Sequence, residues 1–191
     1  MDILTEPPLL HSLHLEITVR HNDLLISYEP PAALTLGSTL RARDIRGRVK
    51  SLLKRARPVG HFDDQRIDAW FDFDAARTLA SIVRKIDLML DAYKSERLTS
   101  KMVEEILGIT AVEVRRWYKD RRLAHSGMAS HRRGRQSFHL PLYAPEQIAR
   151  LAANPGIVSQ WREEDAAQSV AARCSDPVGL KTVPPLSTSE R

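Results

Sequence analysis

Leu13, Leu15, Ile17 and Val19 alternate with polar neighbours, which predicts a half-buried strand. The tetrapeptide RHND follows, and Asn22 and Asp23 suit a turn. Leu24, Leu25, Ile26 and Tyr28 predict a second strand, paired with the first as a hairpin and stopped by Pro30 and Pro31. From Ser38 the spacing becomes helical. Ile45, Val49, Leu52, Leu53 and Ala56 form one stripe, so a helix runs from Ser38 to about Arg57 and closes at Pro58 and Gly60. Ile67, Ala69, Phe71 and Phe73 alternate again as a strand, with Asp68 and Asp72 on its polar side. Asp74 is a suitable N-cap for a helix from Ala75 to about Lys94. Its Leu79, Ile82, Val83, Ile86, Met89, Leu90 and Tyr93 share one narrow face. That face is either the main core contact of this half or a seam between two copies.

The stretch LTSKMVEEILGITAVEVRRWYKDRRL, residues 98 to 123, predicts two short helices and a tight turn. Thr99 or Ser100 can cap the first helix. Met102, Val103, Ile106 and Leu107 make its apolar face, and Gly108 ends it where the chain must turn left-handed. Ile109 is an apolar pin in the turn. Thr110 with Glu113 three residues later makes a capping box for the second helix, which runs to about Asp120. Val114 and Trp117 face the first helix. Ala111 and Val112 lie at the leading end, and Arg115, Arg116 and Lys119 fall on the other side. A helix packed on one side and cationic on the other is what a major groove accepts.

These residues resemble the winged-helix domains of the MerR regulators and phage-type excisionases. The pattern there is Leu-Thr, an apolar helix, Leu-Gly-Ile/Val-Thr/Ser, then Val-Arg-x-Trp and a basic stretch ending in Leu. Here it is met by Leu98, Thr99, Leu107, Gly108, Ile109, Thr110, Val114, Arg115, Trp117 and Leu123. The resemblance covers residues 98 to 151. This chain departs from the pattern at Glu104, where such domains usually carry Ala, and at Arg121, where they often carry Gly. It implies that HSGMASHRRGRQSFHLPLY forms the wing and APEQIARLA the closing helix. Read directly, the first of these segments holds Ser126, Gly127, Ser130 and Gly134, which make it flexible, and His125, His131, Arg132, Arg133 and Arg135, which make it cationic. Leu123 on one side and Phe138 with Leu140 on the other could bracket it as two short strands, placing the cations at a tip that reaches phosphates. Pro145 is favourable at a first helical position, and Ile148, Leu151 and Ala152 pack a short helix. REEDAAQSVAAR reads as a frayed helix. From Ser175 onward, Pro177, Pro184, Pro185 and many Ser and Thr residues predict a disordered tail.

The expected fold class is therefore α+β. Residues 1–95 make a small N-terminal α/β domain of hairpin, helix, strand and long helix, for pairing or sensing. Residues 96–162 make a winged helix-turn-helix domain, and 163–191 a flexible tail. Charge sharpens this division. The net charge of +5 is not spread evenly: residues 100–150 carry +5, residues 1–99 carry +1 and residues 151–191 carry −1. The excess lies on the segment already read as DNA-binding, where neutralising phosphates supplies most non-specific affinity. A second concentration lies on the predicted helix 38–57, where Arg43, Arg46, Lys50, Lys54 and Arg57 form a stripe. Its two readings are a further phosphate or RNA contact, and a solvated face paired with Asp63, Asp64, Asp68, Asp72 and Asp74.

Other chemistry finds little support. HFDDQRIDAWFDFD offers His61, Asp63 and Asp64 to a metal, but a turn followed by a strand explains it. The histidines near the wing have no cysteine or carboxylate at ligand spacing, so no metal and no cofactor is expected. No Gly-rich phosphate loop and no nucleophile elbow occurs, so no catalytic residue and no enzyme activity is expected. Cys174 has no partner for a disulfide, the start of the chain lacks a secretory pattern, and no apolar run reaches roughly 18 residues. A cytoplasmic, nucleoid-associated protein with no membrane partner is the expectation. The leading function is sequence-specific binding of double-stranded DNA by a homodimeric bacterial, phage or mobile-element transcriptional regulator. Its candidate contacts are Thr110, Ala111, Val112, Arg115, Arg116, Lys119, Arg121, Arg122, Arg132, Arg133 and Arg135. The alternatives are an excisionase-type recombination factor, and an RNA-binding or nucleoprotein-assembly protein that uses the basic helix 38–57.

Overall fold

A computed structural model describes residues 10–21, 23–59 and 66–175. Among them the chain is mixed α+β, with two three-stranded sheets and seven α-helices. No helix among the described residues is long and apolar enough to cross a membrane. The chain divides into two compact units, 1–153 and 154–191.

β1 (Glu16–Arg20) and β2 (Asp23–Tyr28) form the expected antiparallel hairpin, and β3 (Ile67–Asp72) pairs antiparallel with the other edge of β2. Ile26 lies between Ile17 and Ala69, and Leu24 between Val19 and Phe71, so one face of the sheet is apolar. The alternation overstates β1. Leu13 lies outside the strand at 74 % exposure and Val19 is 58 % exposed, since β1 is an edge strand covered only in part. Asp23 belongs to β2 rather than to the turn. His21 turns the chain at φ 54, and Asn22 lies outside the described residues.

A short helix α1 (Ala32–Thr35), not foreseen in the sequence, leads into α2 (Thr39–Leu53). A 3₁₀ turn, Lys54–Ala56, extends α2, and Arg57 ends it in the left-handed region. Ile45, Val49 and Leu53 are buried, as their spacing predicts. α3 (Ala76–Lys94) buries Leu79, Ile82, Val83, Ile86, Leu90 and Tyr93 in the same cluster as the sheet. The narrow apolar face of α3 is thus core. Asp74 does not cap it: a 3₁₀ turn over Phe73–Ala75 tightens the entry, and Ala75 takes the cap position with no side-chain bond.

The segment from Leu98 builds a second core. β4 (Leu98–Thr99) pairs with β6 (Gln136–Tyr143), which pairs with β5 (Gly127–Arg133). α4 (Ser100–Leu107) packs on α5 (Ala111–Lys119), on α6 (Pro145–Ala152) and on β6. Leu98, Val103, Ile109, Val114, Trp117, Leu123, Tyr143 and Ile148 are buried there. In the other unit α7 (Pro155–Ser175) is continuous through REEDAAQSVAAR rather than frayed, and the tail expected beyond it lies outside the described residues.

Two side chains fix the start of α2, one against the end of α3 and the other against α4. Arg41, a cation in the first turn of α2, is only 2 % exposed. Its guanidinium lies 4.4 Å from the centre of the Tyr93 ring. It donates to the backbone oxygens of Leu34, of Tyr93 at 2.8 Å and of Glu96 at 3.2 Å, the last two at the C-terminal end of α3. Tyr93 O also accepts from Glu96 N at 3.1 Å, and the negative end of the α3 dipole lies here, so a cation suits the site. Burial lowers the Arg41 pKa, opposed by Tyr93, Glu96 and Asp44.

Glu105 of α4 works at the same, N-terminal end of α2. Its carboxylate accepts from Ser38 Oγ at 2.5 Å, Thr39 N at 2.9 Å, Leu40 N at 3.2 Å and also from Thr39 Oγ1. Desolvation opposes the charge, but the hydrogen bonds from Ser38, Thr39 and Leu40 outweigh it and hold the carboxyl at about 2, against an ordinary 4.5. A depressed folded-state pKa contributes stability that is present above the unfolded value and lost as pH falls through the folded one. The group is exposed, so solvent screening reduces its worth to about 1 kcal/mol, the scale of an N-cap. Glu105→Gln is expected to lower stability by about that amount at neutral pH. Denaturant titrations from pH 6 to pH 2 check it: the deficit should shrink below pH 4.5, and a constant deficit would remove the charge as its cause.

Candidate nucleic-acid interface

The outward cations of α5 are held by a closely determined turn. Thr99 caps α4 by accepting from Met102 N at 3.4 Å. Gly108 leaves α4 at φ 60, a conformation that side chains resist. Ile109 is buried beside it, and its N–H bonds Glu104 O at 3.0 Å. Thr110 Oγ1 accepts from Glu113 N at 3.2 Å while the Glu113 carboxylate accepts from Thr110 N at 2.6 Å, so the capping box is complete. Both ends of the turn are set by chemistry written in LGITAVE.

α5 is anchored along one side only. Trp117 is fully buried and Val114 nearly so. Trp117 O accepts from Leu123 N at 2.9 Å, which brings the following segment back over the indole. Thr110, Ala111, Val112, Arg115, Arg116 and Lys119 are all exposed. At about 100° per residue, Val112, Arg115 and Lys119 point directly away from the Trp117 side, with Arg116 and Ala111 flanking them. Val112 is 66 % exposed, an apolar side chain set among cations. This matches the needs of base edges, where Arg grips guanine and a methyl group meets thymine.

The two cations after α5 differ from each other. Arg121 is exposed and sits at φ 66, in the left-handed region that side chains resist. Arg122 is half-buried. Its Nε donates to Asp120 Oδ2 at 2.9 Å, and its guanidinium lies 5.8 Å from the centre of the Trp117 ring. Arg122 therefore braces the end of α5. It is less available to a ligand than its charge suggests.

The cationic segment expected as flexible is a regular hairpin. β5 and β6 pair from Gly127↔Leu142 to Arg133↔Gln136, with Gly134 at φ 62 in the turn. Seven pairs carry the tip roughly 20 Å from its base. Arg132 and Arg135 are exposed near that tip. Arg133 faces Gln136 in the ladder, and its side chain is outside the described residues, as is that of His131. Leu123 precedes the hairpin as a buried residue instead of opening a strand.

Sequence reasoning missed three features. Phe138 and Leu140, expected to bracket the wing, lie on one face of β6 and are 44 % and 51 % exposed. Their i, i+2 spacing carried that signal. Arg97 crosses the hairpin base: a Cβ at Gly127 would lie 2.5 Å from its Nη1, so the glycine makes room for a guanidinium. Tyr118 meets His125 edge-on at 5.3 Å between ring centres. Neither contact has a sequence signal. No cluster of three metal-ligating side chains occurs among the described residues, and His61, Asp63 and Asp64 lie outside them.

Fold and surface together define a mixed α+β protein that presents an exposed cationic helix and a long cationic hairpin. No family model, curated protein or solved structure matches the chain.

Proposed function

We propose that this protein binds double-stranded DNA in a sequence-specific manner through a winged helix-turn-helix formed by residues 98–151. α5 enters the major groove, and the β5–β6 hairpin lies along the backbone. One observation carries the reading: α5 buries Val114 and Trp117 while it turns Val112, Arg115, Arg116 and Lys119 outward. A helix fixed from behind keeps its outward side chains in register with base edges. Thr110 and Ala111 supply the helix N-terminus to a phosphate, and Arg121, Arg132 and Arg135 hold backbone.

The mode of action is occupancy, with no catalytic step. Nine helical residues and one hairpin reach only a few base pairs, so two copies reading two half-sites are expected. A transcriptional regulator fits the whole chain better than an excisionase-type factor, because residues 10–95 add a substantial core of their own. That part pairs subunits or senses a signal.

Fluorescence anisotropy with a duplex carrying the bound sequence tests the assignment. Arg115→Ala or Arg116→Ala is expected to weaken specific binding by about 1–3 kcal/mol, with random duplexes affected less. Unchanged affinity in both variants would remove α5 from the interface.

A further inference from the structure

We infer that the cleft between α1, the end of α3 and the start of α6 is a binding site for a free α-amino acid with an apolar side chain. The site goes beyond the DNA reading and does not rest on it. All its residues belong to the unit 1–153. The cavity holds about 290 Å³. That is the lower edge of the roughly 300–1,000 Å³ usual for small-molecule sites. Ala33 and Leu36 line it from the α1 side, Pro145 and Ala149 from α6. Three charges surround this apolar middle: Arg41, Lys94 and Glu146.

Arg41 is buried, yet it bonds only neutral carbonyls, and no carboxylate among the described residues lies within ion-pair distance of it. A buried cation ordinarily has such a partner. The nearby acids are committed elsewhere. Glu96 bonds Arg48 at 2.6 and 2.7 Å. Asp44 pairs with Arg48 at 3.0 Å and accepts from Tyr93 Oη at 2.9 Å. Each guanidinium nitrogen of Arg41 spends one N–H on a carbonyl, so Nη1 and Nη2 each keep a second. Two such N–H groups suit the two oxygens of a carboxylate. Lys94 adds a second, exposed cation. Its bond to Asp91 is 2.6 Å long, but the pair is open to solvent and holds the ammonium only weakly.

Glu146 decides between ligands. It is exposed, and among the described residues no hydrogen bond or ion pair engages its side chain. A simple anion such as phosphate meets its repulsion. A molecule that carries an ammonium beside its carboxylate meets a partner for each sign. Water alone fits poorly, since Ala33, Leu36, Pro145 and Ala149 offer it no polar side chain. The same four residues suit an aliphatic or thioether side chain. An occupant bridges the core of residues 10–95 to α6, which packs on α4.

Calorimetric titration of the full chain tests the site. The probes are L-alanine, L-valine, L-leucine and L-methionine, each with its deaminated acid and its decarboxylated amine, at up to about 10 mM. At least one of the amino acids is expected to bind one to one, at least about tenfold tighter than its own two analogues. Glu146→Gln, at an exposed position, is expected to keep the melting temperature and to bind that amino acid and its deaminated acid alike. Ala149→Leu, which fills the cavity, is expected to abolish binding. No binding by any probe, equal binding of an amino acid and its deaminated acid by the unaltered chain, or either variant behaving like the unaltered chain would overturn the inference. None of these outcomes depends on whether α5 reads DNA.

Discussion

Trp117→Ala is expected to destabilise the 98–152 segment by about 3–5 kcal/mol, the range for removing a large aromatic from a core. Trp117 is fully buried, its carbonyl receives Leu123 N, and Arg122 lies over its ring. A cavity there releases α5 from α4 and frees the chain that leads into the hairpin. The loss should be local. Leu24, Ile26, Ile45, Phe71 and Ile86 belong to a separate cluster that excludes Trp117. Urea titration with amide exchange resolved along the chain is the measurement. The expected result is collapsed protection over 98–152, retained protection in β2, β3 and α3, and lost binding to any selected duplex. A cost below about 1 kcal/mol would show that the indole is not what anchors α5.

Arg41→Met is expected to cost about 2–4 kcal/mol, although it replaces a charge with an apolar side chain of similar length. The penalty comes from what is left behind. The oxygens of Leu34, Tyr93 and Glu96 lose the guanidinium, with Tyr93 O keeping only its backbone bonds, and two of the three stand where the α3 dipole is negative. Arg41→Lys is the informative companion. Lysine keeps the charge but lacks the planar fork that meets several carbonyls at once, so only part of the loss is recovered. Denaturant melts of both variants check this. Full rescue by lysine would assign the effect to charge alone.

How much of this was legible in the sequence depends on the range of each interaction. The LGIT turn, the Thr110–Glu113 box and the Val114–Trp117 spacing are local, each spanning only four residues. Periodicity and capping chemistry report them directly. The strand alternation of Leu24, Ile26, Ala69 and Phe71 was readable for the same reason. What composition misjudged was the work of individual charges. Arg41 and Arg43 are indistinguishable in a list of basic residues, yet one is core and the other exposed. The difference is set by the ends of α1 and α3, up to 55 residues away. Glu105 reaches α2 across a separation of 66 residues, and no local rule foresees that contact. Ser, Gly and Arg dominate the hairpin and by composition predict flexibility. Its order comes from backbone pairing with β6, which in turn is paired to β4.

The exposed apolar pair on β6 fits the proposed interface. Phe138 and Leu140 stand on a hairpin with Arg132 and Arg135 near its tip. Apolar side chains on a cationic ribbon suit a groove whose walls are phosphates and whose floor is bases.

The central claim is that α5 reads sequence. Selection of bound duplexes from a random DNA pool at moderate salt, with the Arg115→Ala/Arg116→Ala protein run in parallel, tests it most directly. The account predicts a defined motif for the unaltered chain, palindromic if two copies bind, and its loss in the double variant. Salt-sensitive retention of every duplex with no enriched motif, or the same motif from both proteins, would contradict it.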